Sequence, residues 1–168
     1  MSKEKRELES DGIRLTIELV PRSCMYTNVR SEVSDDTWSR YKGFISDEAG
    51  ARCEICGGRG PKWPVECHEV WSYLCGVQKL ERLIALCPSC HEVKHIGHAH
   101  VNGRFDEARE HLMKVNRMTP EEADRYIGEA FEGWGRRSES NWILDISYLE
   151  KLEEDIAKPK PVKTGFRK

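Results

Sequence analysis

An α+β chain is predicted by three observations. Period-two alternation appears near the N-terminus, two Cys-x-x-Cys pairs enclose a strand-rich stretch, and helical periodicity dominates the C-terminal portion. At 168 residues the chain can bury an ordinary core without depending on several staples. Charged residues make up 33% and apolar residues 38%, the balance of a compact chain with a heavily solvated surface, which excludes the disordered class.

Residues 1–12 are almost entirely charged or polar and read as a flexible tail. Ile13, Leu15, Ile17 and Leu19 then alternate with Arg14, Thr16 and Glu18, the period of a half-buried strand that Pro21 ends. Ser34 is a natural N-cap for a helix over 35–49, with acidic residues in its first turn and Gly50 beyond its end. Trp38, Tyr41, Phe44 and Ile45 share one face of that helix and are read as core packing rather than as a base-stacking platform.

Beyond a module over 51–101, Phe105, Ala108, Leu112 and Val115 repeat at helical spacing. Thr119-Pro120-Glu121-Glu122 is the start signal of a second helix reaching about Arg137. Trp142, Leu144 and Ile146 alternate as a short strand, expected to pair with the N-terminal one, and 148–156 is a last helix. The chain thus divides into a tail (1–12), a bracing strand and helix (13–50), a cysteine- and histidine-rich module (51–101), a helical extension (102–157) and a Pro/Lys-rich disordered tail (158–168).

The module carries most of the chemistry. Cys53-Glu54-Ile55-Cys56-Gly57-Gly58 is a knuckle in which two intervening residues let both sulfurs turn toward one ion, and Cys87-Pro88-Ser89-Cys90 repeats the device. Four thiolates complete a closed tetrahedral site, so Cys53, Cys56, Cys87 and Cys90 are read as ligands of a structural Zn²⁺. Seven cysteines, an odd number, argue against a disulfide framework; Cys24 and Cys75 are read as small hydrophobes. A cytoplasmic setting is the expectation. No apolar leader precedes residue 12 and no apolar run approaches the ~18 residues of a membrane span.

Between and after the knuckles stand VECHEVW and LIALCPSCHEVKH, read as two strands separated by a loop and continued by a helix beginning near Pro88. In order and spacing, CEICGG, VECHEVW and LIALCPSCHEVKH resemble the HNH endonuclease superfamily in its zinc-stabilised ββα-metal form, familiar from phages and bacteria. The resemblance spans about 52–98. It implies a metal-dependent DNA endonuclease or nickase that hydrolyses phosphodiester bonds, and it does not exclude RNA.

The resemblance implies His68 as the general base that takes a proton from the attacking water, and His91 as ligand of a catalytic divalent ion, Mg²⁺, Mn²⁺, Ni²⁺ or Zn²⁺. His95, one helical turn on, is expected beside His91 as in colicin-type members. The residue before the base is usually an Asp or His that helps hold the ion. Here it is Cys67, a softer ligand better matched to zinc or nickel. Lys94 and Arg82 are expected at phosphates, Arg82 standing where many members carry the asparagine. Glu66 and Glu69 flank His68 as alternative ligands or orienting carboxylates, while His98 and His100 are expected in solvent beyond the helix.

A net charge of −2 means that nucleic-acid binding needs a local patch, with Arg52, Arg59, Lys62, Lys79, Arg82 and Lys94 as its candidates. The reading of a different class is a catalytically inactive, zinc-stabilised module that binds nucleic acid or protein.

Overall fold

The computed structural model describes residues 12–159. The tails expected over 1–12 and 158–168 lie outside the described residues, apart from Gly12, Lys158 and Pro159. In chain order a 3-10 turn (Arg22–Cys24) leads to α1 (Val29–Glu32), α2 (Asp35–Glu48), β1 (Glu66–Leu74), β2 (Val77–Leu86), α3 (Pro88–Lys94) and α4 (Ile96–Val101). Then come α5 (Phe105–Asn116), α6 (Pro120–Ser138), β3 (Ile143–Asp145) and α7 (Tyr148–Ala157). Among the described residues no helix is long and apolar enough to cross a membrane.

The sheet has the order β1-β2-β3, with β1 and β2 antiparallel and β3 parallel to β2. The expected loop between two short strands is instead a continuous hairpin closed by Cys75 and Gly76. Both have positive φ (51° and 76°), the two-residue turn whose twist matches its strands. Polar residues such as Ser72, Lys79 and Glu81 make this stretch look like a loop in the sequence, yet they simply face outward or pair across the hairpin, as Ser72 does with Glu81.

Alternation along the hairpin feeds two cores. Ile84 and Leu86 face a cluster with Leu15, Val93, Ile96, Leu112 and Ile127, built from α3 to α6. Leu83 and Ala85 face the opposite cluster with Val29, Tyr41, Ile45, Leu149 and Leu152, from α1, α2 and α7. A bulge breaks the register after Val70, so that Trp71 pairs Leu80 rather than Glu81 and Leu80 stays in the second core. The sheet is thus covered by helices on both faces.

Caps read from the sequence hold. The Ser34 side chain accepts from Thr37 N, and Thr119 and Glu122 form a capping box with Pro120 in the first turn.

The N-terminal segment is extended but joins no strand, contrary to the expected pairing with residues 142–146, which pair with β2 instead. Helix side chains satisfy its backbone. Arg14 N and Leu15 N both donate to Asn116 Oδ1 (3.0 and 2.8 Å), Asn116 Nδ2 donates to Leu15 O, and Ile17 N donates to the Tyr126 hydroxyl. Glu18 N donates to Lys94 O, and Trp134 Nε1 to Val20 O. Alternation reports only that one face is buried; here the covering surface is helical, and buried backbone groups accept side-chain partners as readily as a ladder.

Candidate metal centre

The four knuckle cysteines meet at one point, their sulfurs within 4.8 Å of one another and those of Cys56 and Cys87 3.6 Å apart. Tetrahedral zinc thiolates stand about 3.8 Å apart, given Zn–S bonds of about 2.3 Å, so the donor set fits such an ion. The first knuckle turns tightly through Gly57, whose φ is +75°, and Gly58 N donates to Cys56 Sγ. Cys87 caps α3 and Cys90 lies inside its first turn, so the second knuckle is a helix start. Glu54 ties the first knuckle to the free edge of β2, its backbone N–H donating to Ala85 O and its carboxylate accepting from Ala85 N.

The thiols compete for protons. Hydrogen bonding between the Cys53 and Cys90 sulfurs lowers the Cys53 thiol and raises Cys90, while burial raises Cys87. Crowded thiolates repel, and a dication would remove that conflict. His111 stands outside every motif of the sequence, yet its Nε2 lies 3.2 Å from Cys90 Sγ. Its one signal is isolation: it is the sole histidine outside the module.

A second cluster stands beside this clip. His68 on β1, His91 on α3 and His95 present ring nitrogens within 4.8 Å of one another, with ring centroids 4.9 to 5.2 Å apart. His95 does not continue the helix as expected. It is the break between α3 and α4, with φ −108° and ψ 42°. Its N–H still reaches His91 O at 3.3 Å, so the one-turn spacing survives. His98 and His100 are exposed, apart from this cluster.

Each of two rings is held by a carboxylate. His91 Nδ1 donates to Glu66 Oε2 at 2.6 Å, the orienting role foreseen for Glu66. Glu69 faces elsewhere, accepting from Val29 N and Trp71 Nε1. His68, 3% exposed, donates from Nε2 to Glu18 Oε2 at 2.8 Å. Burial lowers the His68 pKa despite Glu18, so the ring is neutral at pH 7 and the contact is an N–H bond to a carboxylate rather than an ion pair. Burial alone would raise Glu18, but the His68 hydrogen bond and the Lys94 ammonium outweigh it and bring Glu18 to about 2. Burial also drives His95 down to about 3.

Three expected site residues lie differently. Cys67 points to the opposite face of β1, packs in the second core and is raised by burial to about 12, so it does not join the histidines. Strand alternation makes this unavoidable once His68 faces the cluster. Lys94 is buried, its Nζ bonded to Glu18 Oε1 (2.6 Å) and Thr16 Oγ1 (2.7 Å), and is not open to a phosphate. Arg82 shares the His68 face of the hairpin and is exposed, but pairs with Glu54 at 3.3 Å.

The other candidates of the basic patch are dispersed. Arg52 and Arg59 donate to the backbone carbonyls of Gly57 and Gly50, and Lys79 lies in the register of β3 beside Asp145.

Glu18 and Thr16 are the participants that the sequence does not reveal, since they sit on the polar side of an apparently ordinary strand.

The arrangement is a closed four-sulfur clip beside a three-imidazole centre, two of whose rings are oriented by carboxylates. The second is the pattern of metal-ligating histidines whose remaining ring N–H is fixed by a carboxylate. Comparison of the chain with protein-family models, with curated proteins and with solved structures found no match.

Proposed function

We propose that this chain is a metal-dependent endonuclease or nickase of the HNH type, hydrolysing phosphodiester bonds in DNA. One observation carries the reading: His68, His91 and His95 converge on a hairpin-plus-helix unit that four converging cysteines clip together. Zn²⁺ suits the clip, and imidazole donors suit Zn²⁺ or Ni²⁺ at the histidines, with Mg²⁺ or Mn²⁺ needing more oxygen ligands. Seven free cysteines suit a reducing compartment such as the cytoplasm.

His91 and His95 would hold the catalytic ion, which supplies Lewis-acid polarisation of the phosphate and stabilises the leaving 3′ oxygen. His68 takes the proton from the attacking water. Glu18 accepts the Nε2–H and thereby fixes the tautomer, leaving Nδ1 with the basic lone pair; burial keeps the ring neutral. Attack breaks the bond from phosphorus to the 3′ oxygen, which takes a proton from solvent water, and leaves a 5′-phosphate and a 3′-hydroxyl, while His68 returns its proton to solvent. Lys94 offsets the charge of Glu18 and holds it in place.

The same convergence favours a second reading. A lone pair on an ion cannot take a proton, so His68 as third ligand would make the chain a zinc-stabilised binding module without a base. Plasmid cleavage with Mg²⁺, Mn²⁺, Ni²⁺ and Zn²⁺, paired with metal content, separates the two. The nuclease reading expects His68→Ala to lose about 10²–10⁴-fold in rate while keeping its second, exchangeable ion, and His91→Ala to lose that ion. Loss of the ion in His68→Ala, with no cutting of DNA or RNA by the parent protein, establishes the module instead.

A further inference from the structure

A cleft of about 1210 Å³ runs along the outer side of β1 and abuts the histidine centre, sharing His95, Glu69, Trp38 and Trp71 with the cavity that holds all three rings. Its walls carry Trp38, Trp63, Trp71 and Trp134. Trp63 is 60% exposed at its mouth. The rim is cationic: Arg30 and Lys42 line it, are exposed and form no ion pair among the described residues, and just outside the lining the Lys62 ammonium sits 5.9 Å from the Trp63 ring. The acids of the wall are turned inward, Glu66 onto His91 and Glu69 onto Val29 N and Trp71.

We infer that this cleft binds single-stranded nucleic acid, with bases stacked on Trp63 and Trp38 and phosphates held by Arg30, Lys42 and Lys62, leading the strand to the histidines. Indole faces receive unstacked bases, which a duplex does not offer, and cations at the rim track a backbone. Trp38 thus takes a part in stacking as well as in packing α2. The inference rests on the nuclease reading for the fate of the strand and deepens it by naming the substrate form.

The test is titration of the full chain, without added divalent ion, with fluorescein-labelled oligothymidylate and with a duplex of equal length. The single strand is expected to bind about tenfold or more tightly than the duplex, and Trp63→Ala to weaken it about tenfold. Arg30→Ala with Lys42→Ala should lower the salt slope by about 1 to 2. Circular dichroism confirms that these exposed substitutions leave the fold intact. Equal or tighter duplex binding, no binding of either probe, or no effect of both Trp63→Ala and the double variant overturns the inference. Binding with the expected Trp63 dependence but no cleavage under any ion leaves the inference standing and removes the nuclease reading. Duplex cleavage without single-strand binding does the reverse.

Discussion

The cysteine centre and the histidine centre both draw donors from the helix α3, and each gathers its donors within 4.8 Å, but they are assembled by different means. The sulfurs are placed by two local turns, one closed by Gly57 and the other by the start of α3, so two short peptides nearly suffice to make the site. The imidazoles are placed by tertiary packing. His68 is oriented by Glu18, fifty residues away and on a segment outside the module. The first centre therefore holds the frame, while the second depends on the frame and on the N-terminal segment laid across α3, α5 and α6.

The largest expected effect breaks the pair apart. Cys90 is wholly buried, so Cys90→Ala removes one sulfur from a closed set and loosens the tie between the first knuckle and α3. Structural zinc sites in small peptides contribute about 10–16 kcal/mol, and the variant is expected to lose its cooperative thermal transition. His91→Ala, at a half-buried position, should melt within a few degrees of the parent, a change of about 1 kcal/mol. Melting curves by circular dichroism, with metal content on the same samples, decide. A cooperative Cys90→Ala that still melts like the parent would mean that the core, not the clip, holds the frame.

Legibility in the sequence divides along the same line. The cysteine spacing, the Ser34 and Thr119 caps and the Pro88 helix start are local signals, and they reappear in the structure. The N-terminal segment reads as a strand because Leu15 alternates against helices as it would against a sheet. The hairpin reads too short because Cys75-Gly76 carries only half of the usual Asn-Gly turn signature. Cys67 is drawn to the histidines when adjacency in sequence outweighs the alternation of a strand. The bond from Glu18 to His68 and Lys94 has no sequence signature at all, since nothing local distinguishes that glutamate from the solvent-facing residue of a strand.

Glu18 gives the next effect. Its pKa of about 2, against 4.5, is depressed, so its contribution is fully present above pH 4.5 and is lost as pH falls through about 2. That difference corresponds to about 3–4 kcal/mol at neutral pH. Glu18→Gln leaves Lys94 buried without its counter-charge and is expected to destabilise by a similar amount. Urea titrations of parent and variant between pH 7 and pH 2 should show a gap that narrows below pH 4.5. A gap independent of pH would show that Glu18 serves the histidine centre by packing and not by charge.

The smallest effect tests whether the clip is as self-sufficient as its turns suggest. Burial lowers the pKa of His111, leaving a neutral ring whose Nε2–H can donate to Cys90 Sγ across 3.2 Å. His111→Phe keeps an aromatic ring on α5 and removes the donor. Partners of this kind are worth about 10–100-fold in metal affinity, and the lower end is expected here because Gly58 N also donates to the cluster. Competition with a chromophoric chelator measures it, with the fold as internal control. An unchanged affinity would make the contrast sharper still, with sulfurs held by local turns alone. The expected fall of about tenfold makes the contrast one of degree, since α5 would then support the cysteine clip through one residue as the N-terminal segment supports the histidines through Glu18.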